Sequence, residues 1–268
     1  MVFYIAMKLV QSVITALLGV MCLSESALSD PNMNLPSTLI PEPQQRDPYN
    51  WQVRHERVRQ YNRDLKPDYV MIGDSITHYW GGEPSGDYNP VSPATWQKLF
   101  NTHIVSNMGF GFDYVDNAYF RVQDGELDGI SPRVIIVLLG TNNLGHRKDS
   151  PQACADNIKA LVRLIRHKCP DSKILLLGIL PRREQYLADP IRQTNQLLAQ
   201  LDNGRSVFFA NPGKAFLSAD GYSPKSVYMR DMVHPNAKGY ELLAKELCVL
   251  LKKLDNLYLG GDAAWKRS

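Results

Sequence analysis

Val134-Ile-Ile-Val-Leu-Leu139 runs straight into Gly140-Thr-Asn142-Asn143. An unbroken apolar run of this length has no in-and-out alternation, so it reads as a parallel strand covered on both faces. Tyr69–Gly73 and Lys173–Leu180 repeat the pattern, and His103–Asn107 and Ser206–Ala210 are two further candidate strands. Helical spacing fills the gaps, most clearly over Cys154–His167 and Ile191–Leu201, with a last helix from about Asn236 to Leu254. A charged helical pattern also runs from Trp51 to about Asp64 before Lys66-Pro67 breaks it. Strands alternating with helices imply right-handed crossovers. The expected fold is therefore α/β, a three-layer α/β/α sandwich on a mainly five-stranded parallel sheet. In such a sheet ligands bind beyond the carboxyl ends of the strands, so candidate site residues are sought there.

The chain has 268 residues, 30 Lys+Arg against 27 Asp+Glu, and a formal charge of +3. That balance is too near neutral to point to nucleic acid or an anionic surface as the main partner. At the N-terminus Lys8 flanks a mostly apolar run, Leu9 to Leu23, which is followed by the small residues Ser24, Ser26 and Ala27. That order is the order of a secretory signal, expected over residues 1–26, with Met7 as an alternative start and an uncleaved anchor as the other reading. Cys22 raises a lipoprotein option, which Met21 disfavours because a small residue belongs at that position. The expected location is secreted or periplasmic, with no membrane span after cleavage. Residues 27–48 are rich in proline and read as a linker or an arm on the surface. One domain is expected over 49–257 and a short tail over 258–268. Cys154, Cys169 and Cys248 make no metal-ligand spacing. Cys248 reads as a core thiol, and Cys154 and Cys169 are a candidate pair.

Tyr69-Val-Met-Ile-Gly73 leads directly into Asp74-Ser75. A serine just past a buried strand and opening a helix presents its hydroxyl together with a free backbone N–H. Both suit a nucleophile whose transition state carries an oxyanion, although a plain helix cap looks the same locally. Asp231-Met-Val-His234-Pro precedes the last helix. Imidazole is the side chain best suited to take a serine proton near neutral pH, and a carboxylate beside it fixes its tautomer. The alternatives are a surface pair or a metal site, for which no third ligand is clustered nearby. Of the other histidines, His55, His146 and His167 sit in charged or helical surface contexts, while His78 and His103 flank strands. Asn142 sits at the end of the third strand, where a side-chain amide can donate to an oxyanion or simply make a turn. The glycines of Asn107-Met-Gly-Phe-Gly-Phe-Asp113 either admit a ligand close to backbone or form a turn.

Gly73-Asp-Ser75, the glycine segment after the second strand, Gly140-Thr-Asn142-Asn143 and Asp231-x-x-His234 resemble, in order and spacing, the four blocks of SGNH (GDSL-like) hydrolases. Phe120-Arg-Val-Gln-Asp-Gly-Glu-Leu127 and Leu177-Gly-Ile-Leu-Pro-Arg182 resemble more closely the branch of platelet-activating-factor acetylhydrolase catalytic subunits and bacterial acetylesterases. The resemblance covers about residues 66–253. It implies a flavodoxin-like SGNH fold, Ser75 as nucleophile, His234 as base and Asp231 as its orienter. It implies an oxyanion hole from the Ser75 N–H, the Asn142 side chain and a backbone N–H of the second block. The usual glycine donor of that block is Phe112 here, where the required dihedrals strain a non-glycine residue; Gly111 is the alternative donor. Asn143 stands where the wider family has Asp, and the acetylhydrolase-like branch shares Asn.

The resulting expectation is an exported serine esterase that hydrolyses short-chain esters, chiefly acetyl esters of carbohydrates, through an acyl-enzyme. It requires no cofactor and no metal, its partner is a small-molecule or carbohydrate ester, and a homo-oligomer is compatible with it. Tyr79, Trp80 and Tyr114 are candidate substrate contacts that could equally be core. A lysophospholipase or thioesterase, and a non-catalytic carbohydrate-binding protein on the same fold, are the competing readings.

Overall fold

Five short strands pair side by side, and every pairing is parallel: β1 (Tyr69–Gly73), β2 (Val105–Gly109), β3 (Val134–Leu138), β4 (Lys173–Leu177) and β5 (Val207–Ala210), in the order β2-β1-β3-β4-β5. The computed structural model describes residues 35–44, 49–85, 88–101 and 103–255. The expected leader (1–26), residues 27–34 and 45–48 of the expected arm, and the expected tail (258–268) lie outside the described residues. Successive side chains of a strand point to opposite faces, and β1 divides its own residues this way between two cores. Val70 and Ile72 join the core under α1 (Trp51–Leu65), α4 (Val115–Arg121), α5 (Pro151–Lys168) and α6 (Ala188–Ala199). Tyr69 and Met71 join the core under α3 (Pro93–Phe100) and α7 (Ala237–Asp255), with Trp96, Phe100, Tyr240 and Leu247. The result is the expected three-layer α/β/α sandwich.

The differences from expectation are local. β2 starts at Val105 rather than His103, because Ile104 turns outward and is 41% exposed. β3 and β4 end at Leu138 and Leu177, and the residues after them turn into the site loops. Helices α3 and α4 carry no long apolar period and were not anticipated. The described part of the proline-rich segment is an arm laid on the domain: Leu39 is buried, Ile40 N–H donates to Asp116 (2.8 Å), and the Gln44 amide donates to the Gly111 carbonyl (2.6 Å). Cys154 and Cys169 do not pair; both are free buried thiols, and Cys248 lies on the core face of α7.

Strand β1 hands over to the site through a tight turn. Asp74 caps the one-turn helix α2 (Ser75–His78), accepting from the Ile76 N–H at 2.9 Å. A side chain at Gly73 would overlap that of Thr77, and one at Gly109 would overlap the backbone of α2. Both strands therefore end in glycine so that α2 can lie against the sheet edge. From the same strand, Asn107 donates its amide to the carbonyls of Thr77 (2.9 Å) and Gly81 (2.6 Å), which fastens α2 from below.

Candidate active site

Ser75, His234 and Asp231 meet at the carboxyl end of the sheet. His234 Nε2 lies 2.9 Å from Ser75 Oγ, and His234 Nδ1 lies 2.9 Å and 3.1 Å from the two Asp231 oxygens. With Nδ1 protonated and donating to Asp231, Nε2 is the acceptor facing the serine hydroxyl. Asp231 also accepts from the backbone N–H groups of Val233 (2.8 Å) and His234 (2.7 Å), so the short loop holds its own carboxylate in place. Burial alone would raise the Asp231 carboxyl. Those three donors outweigh it and bring the carboxyl down to about 2. Burial lowers His234 below the usual histidine value, helped by the nearby Arg230 and Arg182 cations and only partly opposed by Asp231. A neutral imidazole with a free Nε2 can accept a proton. Asp74, beside the serine, is pushed up to about 7 by its complete burial.

Three groups can face an oxyanion on Ser75. As the first residue of α2, Ser75 has an N–H with no partner inside its helix. Asn142 is buried, and its amide is oriented by donation to the Asp113 carbonyl at 3.0 Å, which leaves its second N–H. Phe112 sits at φ 60°, the left-handed region anticipated for the glycine position. The alternative donor does not stand: the Gly111 N–H is already given to His78 Nδ1 at 3.1 Å in a buried contact. His78 can accept there because burial, with the Arg54 and Arg121 cations, lowers its pKa far below the ordinary value and keeps it neutral.

A cavity of about 40 Å³ opens at the serine, lined by Ser75, Tyr79, Phe112, Asn142, His146, Val233 and His234. The structure thus brings together every expected triad and oxyanion residue except Gly111, and adds His146 and Val233. Tyr79 is the one anticipated aromatic contact at the cavity, its ring 5.2 Å from that of His234. Trp80 belongs to the core: it is fully buried, stacks on Tyr240 at 5.3 Å and donates its indole N–H to Thr95. Tyr114 starts α4 outside the cavity lining, with the Arg147 guanidinium 4.9 Å over its ring. A larger cavity, about 420 Å³, lies between α6 and residues 211–222, and none of the triad lines it.

Behind the oxyanion loop is a buried ionic network that the sequence did not reveal. Arg121 donates to Asp113 (2.9 Å), to Glu126 and to the Met108 carbonyl (3.3 Å), and its guanidinium lies 3.8 Å from the Phe110 ring centre. Asp113 also accepts from the Trp51 indole, and His55 bridges Glu126 and Asp124. Far from the surface position expected for it, His55 is fully buried; burial lowers its pKa, but the two carboxylates prevail and raise it. The only signal in the sequence was the block Phe120–Leu127, whose pairing across the fold could not be read locally. Among the described residues no cluster of three or more His, Cys, Asp or Glu is placed to hold a metal ion, and no helix is long and apolar enough to cross a membrane.

The family model for GDSL-like lipases/acylhydrolases matches residues 71–242. Platelet-activating factor acetylhydrolase IB subunit alpha2 of Homo sapiens is 32% identical over 209 residues, covering 76% of this chain and 84% of that protein. Among solved structures, a Streptococcus pneumonia protein described as a platelet activating factor aligns with TM-score 0.62 and 25% identity, over 75% of this chain and 92% of that one. Est24, a carbohydrate acetylesterase from Sinorhizobium meliloti, aligns with TM-score 0.55 and 17% identity over 70% and 100%, a likeness of fold.

Proposed function

This chain belongs to the GDSL-like lipase/acylhydrolase family and is an ester-hydrolysing enzyme, and from that premise we propose that it removes acetyl groups through a Ser75 acyl-enzyme. Ser75 Oγ attacks the ester carbonyl while His234 Nε2 takes its proton, and Asp231 stabilises the imidazolium that forms. The carbonyl oxygen, now negative, receives the N–H groups of Ser75 and Phe112 and the Asn142 amide. Collapse expels the alcohol, to which His234 returns the proton. Water, activated by the same imidazole, then releases acetate.

The observation that carries the acetyl assignment is the 40 Å³ cavity at Ser75. A cavity this small at the nucleophile favours a short acyl group over a long chain. For the alcohol, we propose a carbohydrate, supported by the aromatic wall that Tyr79 gives the cavity beside His234, the group that faces the leaving alcohol. An acetylated phospholipid is the second reading, favoured by the likeness to the human platelet-activating factor acetylhydrolase subunit. Export is part of the proposal and rests on the leader-like order of residues 1–26; an N-terminal sequence of the native protein that retains Lys8 would overturn it.

The test of the chemistry is hydrolysis of p-nitrophenyl acetate by the wild type and by Ser75→Ala. Loss of all but a trace of activity is expected, and equal rates would overturn the mechanism. Acetate release from acetylated xylooligosaccharides against release from a 2-acetyl phospholipid separates the two alcohols.

A further inference from the structure

Phe112 combines three properties that are odd in one residue. Its backbone is at φ 60°, a region that a Cβ disfavours and glycine enters freely. The residue is 38% exposed, so burial of apolar surface does not account for keeping it. It also lines the cavity at the candidate nucleophile, where it meets the His146 ring edge-to-face at 6.0 Å. Strained backbone retained beside a reacting centre points to a role for the side chain that forces the strain.

The stereochemistry of acyl transfer says which role. The leaving alcohol must face His234, which gives it a proton, so the acyl substituent of the same carbon points away from His234. Away from His234 the cavity wall is made by the loops that follow β2 and β3, and the side chains they contribute are Phe112, Asn142 and His146. Asn142 is committed to the oxyanion and to the Asp113 carbonyl. Phe112, backed by His146, is left as the wall that the end of the acyl chain meets.

We propose that Phe112 is the specificity-determining residue of this site, a ring set on strained backbone that limits the acyl group to acetyl. The proposal rests on the esterase mechanism given above and deepens it. Two functions share one residue: the backbone N–H serves the oxyanion, and the ring closes the acyl pocket. Glycine at 112 would retain the first and abolish the second. Alanine would also abolish the second, but at the same disfavoured φ.

The experiment compares kcat/KM for p-nitrophenyl acetate, butyrate and hexanoate across the wild type, Phe112→Gly and Phe112→Ala. The leaving group is constant, so any change in the ratio between esters arises on the acyl side. One methylene in a fitted apolar pocket changes kcat/KM by about 10- to 200-fold, so the butyrate-to-acetate ratio should rise at least tenfold in both variants. Phe112→Gly should also melt higher than Phe112→Ala, since both lose the ring and only glycine relieves the backbone. Folded variants that keep the wild-type ratio within twofold overturn the proposal alone. A higher KM for acetylated sugar with that same unchanged ratio also overturns it, because the ring would then be gripping the alcohol. If the wild type shows no hydrolysis dependent on Ser75, the proposal falls together with the mechanism it rests on.

Discussion

Replacing Arg121 with methionine tests whether the buried network sets the oxyanion loop. Arg121, Asp113 and Glu126 side chains are all fully buried, and Arg121 gives one hydrogen bond to each carboxylate. Methionine fills much of the same volume but leaves two carboxylates in the interior without their shared cation. Breaking a buried ion pair from one side costs about 3–5 kcal/mol. In a domain of this size each kcal/mol moves the melting temperature by roughly 2–4 °C, so a fall of roughly 6–20 °C is expected at pH 8. The sign of the pH dependence follows from Asp113. Burial raises its carboxyl even in the wild type, against the pull of Arg121 and the Trp51 indole. Without the guanidinium it rises further, and the folded protein then binds a proton that the unfolded chain, near the ordinary 3.9, does not. A group raised in the folded state stabilises at low pH and loses that contribution as pH climbs through its folded value. The deficit of the variant should therefore shrink between pH 8 and pH 5.

Because the Asp113 carbonyl orients the Asn142 amide at 3.0 Å, the same substitution should lower kcat more than it changes KM. Differential scanning fluorimetry at both pH values, with steady-state kinetics on p-nitrophenyl acetate, reads all three effects. Removing the charges as well, in Asp113→Asn/Arg121→Met/Glu126→Gln, should recover a large part of the lost stability, since the penalty comes from unpaired charge rather than from lost volume. If Arg121→Met melts within ~2 °C of the wild type at pH 8, where several kcal/mol were expected, or its deficit is the same at pH 5, the network is not holding this loop.

Two further outcomes follow from the site geometry. Asn142→Ala should lower kcat on the acetate ester about 10²- to 10³-fold with little change in KM, the cost of one oxyanion donor; an equal loss for substrate binding would remove Asn142 from that role. The acid limb of kcat/KM should fall below pH 6.5, because burial and two nearby arginines lower His234 and keep it neutral to more acid pH. A limb centred above 6.5 would show that the Asp231 carboxylate dominates instead.

What could be read before folding, and what could not, divides by the range of the interaction. The central strands announce themselves because each side chain of β1 and β3 is buried, and burial on both faces leaves an unbroken apolar run. Strand β2 is legible only in part, its bounds read as His103–Asn107 instead of Val105–Gly109, because Ser106 and Asn107 are polar at the centre of a buried strand. Asn107 is there as a fastener for α2, a task no local pattern reports. Ser75, Asp231 and His234 were legible for the opposite reason: strand end, helix start and an Asp-x-x-His loop are all local signs. Trp80 and Tyr79 are neighbours in sequence, yet one stacks in the core and the other faces the cavity, since successive residues of the turn after α2 point different ways.

The choice between Gly111 and Phe112 as oxyanion donor shows most clearly why chain-local reasoning stops. The two N–H groups are adjacent, and by conformational freedom alone glycine is the better candidate. His78, 33 residues away in sequence, takes the Gly111 N–H. It can do so only as a neutral ring, since a protonated imidazole has no lone pair to offer. Burial near Arg54 and Arg121 is what keeps it neutral, and Arg121 is held in that position by Asp113 and Glu126. The Gly111 N–H is thus withdrawn by a ring distant in sequence, kept neutral chiefly by its burial, which no local pattern reports. The N–H left for the proposed oxyanion role is then that of Phe112, the residue whose side chain lines the cavity.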